Sequence, residues 1–312
     1  MRCFVTGATG AVGRPLVAAL LAAGHEVRGV ARTDTKADEL RAAGAEPVSV
    51  DLFDEAEVVD AVAGSDAIVH FATNVPRLSR MGFPPAWKTH DRLRTEATRH
   101  LLAGAHRHGV PRFVKESVTF AYPDHGDEWI DESVPPDESV KPLRPTLEGE
   151  RLVAGFTSAD GQGVVLRFGL FYGPGNRAID EALKTARLRT FPIVGRGSSY
   201  LSSIHVSDAA SAAVAALTAP PGLYNVVDDD PLTRRDYVDA FSAAFDLPRL
   251  HIAPPWLARA IGGAGAKALY RSQRVSNARF EEATDWTPAV RDARVGWAMI
   301  GAEHRRGREV ST

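Results

Sequence analysis

Cysteine is nearly absent. One residue, Cys3, stands among 312. A lone thiol excludes an intrachain disulfide framework and fits a reducing, cytoplasmic setting. An excess of positive charge is missing as well. The 37 Lys and Arg face 39 Asp and Glu, for a net charge of −2. No cationic stripe marks a nucleic-acid surface, and no polybasic run marks an anionic membrane. No apolar run reaches the roughly 20 residues that a membrane-spanning helix needs. No secretory leader is read, because a strand pattern begins at Arg2. Internal repeats and low-complexity linkers are absent, and no residue is assigned to a metal. These absences leave a globular chain whose expected partner is a small molecule.

The first thirteen residues carry the strongest signal. A short apolar strand, residues 2–5, runs into Thr6-Gly7-Ala8-Thr9-Gly10-Ala11-Val12-Gly13, and a helix over 14–23 follows. Pro15 falls in the first helical turn, where its missing N–H is harmless. Glycines allow a tight turn and let backbone amides approach a pyrophosphate, which rests on the helix N-terminus. Between a strand and a helix this is a dinucleotide-binding turn. It assigns Gly7, Thr9, Gly10, Ala11, Val12 and Gly13 to the cofactor.

Strands expected at 26–31, 46–50, 67–71, 112–117 and 163–170 alternate with helices at 35–43, 54–62, 90–108 and 143–157. That alternation predicts an α/β fold with a doubly wound parallel sheet. Regularity changes after residue 170. Strands are expected over 202–206 and 223–227, helices over 178–188, 208–217, 233–245 and 256–271, and a frayed, charged tail from 305. The dinucleotide-binding domain then comprises 1–170 and about 202–228. A smaller, interleaved substrate lobe takes about 171–201 and 229–304. The long helices at 90–108 and 143–157 point to a homodimer.

Several stretches resemble the extended short-chain dehydrogenase/reductase family, also called the NAD-dependent epimerase/dehydratase family. They are the glycine turn, Val50-Asp51-Leu52, His70-Phe71-Ala72-Thr73, and Leu166-Arg167 with Tyr172-Gly173-Pro174-Gly175. Ser203-Ile204-His205-Val206-Ser207-Asp208 and Tyr224-Asn225-Val226 are similar to its later signatures. The resemblance implies a Rossmann-type fold and nucleotide binding, but not a substrate, because this fold hosts many chemistries. It implies that Asp51 and Leu52 lie on the adenine side and that Phe71, Ala72 and Thr73 lie toward the nicotinamide ribose. Asp51 either bonds the adenine amino group or caps the turn into the next helix. It also implies that selectivity is decided after the second strand, which here reads Val30-Ala31-Arg32-Thr33. No carboxylate stands there to take ribose hydroxyls, and the Arg32 guanidinium suits a phosphate. NADP(H) is therefore favoured over NAD(H). Arg14, just past the glycines, either joins that phosphate site or lies on the helix surface.

The likeness fails at the catalytic residues. The family uses a tyrosine, a lysine four residues later and a nearby hydroxyl. None of the six tyrosines here is followed by such a lysine, and the chain has six lysines in all. Pro142 and Thr146 fall where the tyrosine and lysine belong. Val118 falls on the serine, but Ser117 and Thr119 flank it, and a one-residue shift makes either the catalytic hydroxyl. Tyr122 is the leading substitute acid, or else an aromatic wall. Glu116 is the second candidate, or else half of a salt bridge, since a buried carboxylate is costly unless paired or functional. Trp129 is either a lid over substrate or the anchor of a solvated loop. Arg167, Tyr172 and Asn176 begin the segment expected to bind substrate, and Arg274 is a further candidate from the second lobe. Three functions stay open. They are an atypical NADP-dependent oxidoreductase of a small carbonyl or alcohol, an epimerase, dehydratase, lyase or cyclase without net redox, and a non-catalytic NADP-binding sensor or scaffold.

Overall fold

Short β-rich runs pair into one seven-stranded sheet in the computed structural model, which describes residues 1–76, 80, 82–256 and 263–309. The strands are β1 (Arg2–Thr6), β2 (Glu26–Val30), β3 (Glu46–Val48), β4 (Ala67–His70), β5 (Arg112–Val118), β6 (Gln162–Phe168) and β7 (Gly222–Val226). All neighbours are parallel, in the order β7-β6-β5-β4-β1-β2-β3. The order reverses between β1 and β4, the switch point where open α/β sheets hold ligands beyond the strand ends.

Alternation along each strand builds two cores. Cys3 and Val5 of β1, Val69 of β4 and Val114 of β5 face α1 (Gly13–Ala22) and a helix over Val206–Ala215. Phe4, Ile68 and Phe113 face the opposite layer. That layer contains α2 (Lys88–His108) and α3 (Arg144–Ser158), which contribute Leu93, Ala97, Leu101 and Val153. Successive residues of each strand therefore feed opposite layers, and both faces of the sheet are buried.

A third core lies beyond the strand ends. Tyr172, Phe191, Tyr237, Phe241 and Trp297 pack there, where α4 (Arg234–Ala244) lies on α5 (Ala293–Glu309). The residues expected as a frayed tail from 305 continue α5 to Glu309; residues 310–312 lie outside the described residues. Gly296 and Gly301 mute the helical pattern of α5, yet each marks a close approach. A Cβ at 296 would sit 2.4 Å from the Tyr172 ring, and one at 301 would sit 2.2 Å from the Ala244 carbonyl oxygen. Two other expectations need correction. The strand expected over 163–170 stops at Phe168, and Leu170–Tyr172 pairs separately with Ser203–His205. The helix expected over 256–271 is a 3-10 run at Gly263–Tyr270, and residues 257–262 lie outside the described residues.

One core residue is a base. Lys115 of β5 is fully buried, and its Nζ donates to Thr98 Oγ1 at 3.0 Å. Burial pushes its pKa down to about 7, and the Arg94 charge adds to the effect. The folded state then binds fewer protons here than the unfolded chain, so stability rises with pH between the two pKa values. Lys115→Met should raise unfolding stability near pH 7 by roughly 2 kcal/mol, net of the lost hydrogen bond. Urea titrations should show that advantage shrinking toward pH 10.

Candidate cofactor and active site

The turn after β1 has no room for side chains. Gly7 adopts φ +76°, and a Cβ there would lie 2.5 Å from the Phe71 carbonyl oxygen. A Cβ on Gly13 would lie 1.9 Å from the Gly7 carbonyl oxygen. The Gly10 amide closes the turn onto that same oxygen at 2.9 Å. Helix α1 then begins with no side-chain cap and no acid in its first turn. Exposed Gly10, half-buried Thr9 and Ala11, and buried Val12 surround this helix end. An uncapped helix end behind a cradle that only glycine permits fits a dinucleotide pyrophosphate.

A buried network fixes the next strand end. His70 Nε2 lies 3.0 Å from the Leu93 carbonyl, which only accepts, so this nitrogen carries the proton. Burial and the nearby Lys115 hold the ring neutral, with its pKa well below the usual range. Nδ1 therefore accepts from the Thr6 hydroxyl at 2.7 Å, and the Thr6 oxygen accepts the Ala72 amide at 3.3 Å. Beyond this lock Phe71 is buried, Ala72 half-buried and Thr73 exposed.

On the adenosine side, Arg32 is exposed just past β2 and forms no ion pair among the described residues. Arg14 does not stand free; it is held by Glu39 at 3.0 Å. Asp51 turns its carboxylate onto the Phe53 amide at 3.0 Å, and Asp54 caps the following helix, Glu55–Ala61. Leu52 is buried beside it.

The expected acids have structural partners. Glu116 ion-pairs with Arg94 of α2 at 2.5 Å, with both side chains 4% exposed or less. The Ser117 hydroxyl donates to Glu150 of α3 at 2.5 Å. Glu150 in turn takes two bonds from Arg167 of β6, at 2.9 and 2.6 Å. Arg167 is therefore committed inside the fold, 4.7 Å over the ring of Tyr122. Tyr122 is fully buried, its hydroxyl donating to Asn225 Oδ1 at 2.8 Å, and burial pushes its pKa up. Thr119 is buried in the 3-10 turn Thr119–Ala121.

The residues expected to bind substrate are scattered. Tyr172 is 1% exposed, wedged among His205, Tyr237 and Trp297 in the third core. Asn176 donates to the Phe171 carbonyl at 2.7 Å and closes a turn. Trp129 is 48% exposed and stacks 4.1 Å over Arg274, which also lies 4.9 Å from the Tyr200 ring. The two-residue strand Trp129–Ile130 pairs with Arg274–Val275. What remains at the end of β5 is half-buried Val118, with Pro142 in the turn Lys141–Leu143 and Thr146 buried in the first turn of α3. The reading of the sequence missed Arg94. Its signal was a charge within the buried stripe His90, Arg94, Ala97, Leu101, Ala105.

Two substitutions separate these roles. Gly13→Ala should abolish cofactor-induced thermal stabilisation, because the backbone oxygen in its way cannot yield. Glu116→Gln should cost about 3 kcal/mol by leaving Arg94 buried and uncompensated. The pair Arg94→Met with Glu116→Leu should recover most of that loss in denaturant titrations.

The profile of the NAD dependent epimerase/dehydratase family matches residues 3–226. A 3-diazoavenalumate denitrifying reductase from Streptomyces sp is 35% identical over 300 residues, 92% of this chain and 96% of that protein. A 2-alkyl-3-oxoalkanoate reductase from Stenotrophomonas maltophilia is 28% identical over 263 residues, 80% of this chain and 77% of that one. Among solved structures, MoeE5 in complex with UDP-glucose and NAD superposes with a TM-score of 0.79 at 23% identity, covering 98% of this chain and 99% of that chain. The human epimerase family protein SDR39U1 with NADPH gives 0.76 at 24% identity, covering 97% and 99%. Sheet order, glycine cradle and profile agree: the chain belongs to the NAD dependent epimerase/dehydratase family and is an NAD(P)-dependent oxidoreductase or epimerase.

Proposed function

We propose that this chain is an NADP(H)-dependent reductase of a small molecule whose hydride acceptor needs no proton from the protein. The chemistry missing at the end of β5 carries the reading. Val118, Pro142 and Thr146 hold the positions of the family's hydroxyl, phenol and ammonium, while Tyr122 and Glu116 are occupied by Asn225 and Arg94. Reducing a carbonyl requires a proton at its oxygen. Reducing an arenediazonium does not. Replacing its dinitrogen by hydrogen breaks one C–N bond and forms one C–H bond. The carbon gains two electrons as dinitrogen leaves. The Streptomyces relative, named for denitrifying a diazo compound, supports this acceptor.

The residues present fit the cofactor. The Gly7–Gly13 turn and the open end of α1 would hold the pyrophosphate, and Arg32 would meet the 2′-phosphate. When bound, NADPH supplies a hydride. The chain supplies position, through the Thr6–His70–Ala72 lock at the end of β4. A small carbonyl is the second reading, favoured by the relatives named as 2-alkyl-3-oxoalkanoate reductase and as a ketoreductase. Its proton would then come from solvent.

The test is purified protein with 4-deuterated NADPH, given an arenediazonium carboxylate and, separately, a panel of ketones. Enzyme-dependent NADPH oxidation, dinitrogen release and deuterium on the arene are expected. Val118→Ser should leave that rate within about twofold. Turnover of ketones alone would establish the second reading. Product without net oxidation would assign an epimerase or lyase. Cofactor binding without turnover would assign a sensor.

A further inference from the structure

We propose that Glu39 sets the balance between NADPH and NADH by occupying the cations that a 2′-phosphate would meet. Its carboxylate bridges two elements. Arg14, at the start of α1, donates to Glu39 Oε2 through Nε at 3.3 Å and Nη2 at 3.0 Å. Lys36 donates to Oε1 at 2.7 Å. Lys36 and Glu39 sit on the helix Asp34–Ala42, which begins two residues after Arg32. Thr33 caps that helix on the Lys36 amide, and the neighbouring Asp38 is paired with Arg41. Two of the three cations around the end of β2 are therefore paired with one acid, and among the described residues Arg32 forms no ion pair.

Hydrogen bonds from Lys36 and Arg14 hold the Glu39 carboxyl below the usual range, so it is charged at neutral pH. Its side chain is 37% exposed, so water competes for both pairs. A 2′-phosphate, carrying up to two negative charges, must displace this carboxylate or bind beside it. The 2′-hydroxyl of NADH meets neither demand. Glu39 therefore weakens NADPH selectively, while Arg32 favours it. This rests on the NADP(H) reading above, and the experiment separates the two.

Dissociation constants for NADPH and NADH are measured by cofactor fluorescence at one ionic strength for the parent chain, Glu39→Gln and Arg32→Ala. Glu39→Gln should tighten NADPH by about threefold, the size expected for one exposed ionic interaction, and leave NADH unchanged. Thermal unfolding without ligand checks that both variants are folded. A Glu39→Gln protein whose NADPH affinity is unchanged or weaker, or whose two affinities rise together, would overturn the role of Glu39. An Arg32→Ala protein with an unaltered NADPH to NADH ratio would overturn the NADP(H) reading itself.

Discussion

Glu150 is the carboxylate on which the interior beneath the catalytic end depends. It sits on α3 and joins that helix to β5 through Ser117 and to β6 through a two-bonded Arg167. Arg167 covers the Tyr122 ring, and Tyr122 bonds Asn225 on β7. One acid thus sets where a helix lies across two strands and, through an aromatic ring, reaches a third. Buried ion pairs add little net stability, because desolvation offsets the attraction. They do fix geometry, since a misplaced partner leaves a stranded charge. The network therefore ties β5, β6, β7 and α3 into one fixed arrangement beneath the strand ends.

The same region explains the weak hold of Lys115 on its proton. Lys115, Arg94 and Arg167 meet two carboxylates, Glu116 and Glu150, inside the fold. His70 and His90 add no charge; burial and the same cations lower both, His90 to about 3. Arginine retains its proton under almost any burial, whereas lysine yields. Burial first, and the Arg94 charge after it, therefore loosen the proton at Lys115, whose Nζ donates to the Thr98 hydroxyl.

The sheet was legible because its signals are local and repeat. The strands read as short apolar runs, and Gly24, Gly44, Gly64 and Gly109 end the helices between them. The third core was harder to read. Its helix α5 carries glycines where partners press close, and contacts with Tyr172 and Ala244 exist only once distant segments meet. The cofactor turn was legible for the opposite reason, since all its glycines lie within seven residues. The catalytic end was legible chiefly as a departure. Sequence shows that Val118, Pro142 and Thr146 are not acids, but not that Glu116 finds Arg94 22 residues away, or that Tyr122 finds Asn225 103 residues away.

Gly149 limits what its face of α3 can carry. A Cβ there would lie 3.2 Å from the Lys115 ammonium and 2.5 Å from the Arg94 carbonyl oxygen. Thr146 is buried one helical turn earlier, on the same face. A lysine placed at 146 would bury a second amine one turn from that contact, and each amine would loosen the other's hold on its proton. The amine already at 115 therefore sets the cost of any further positive charge on this face of α3.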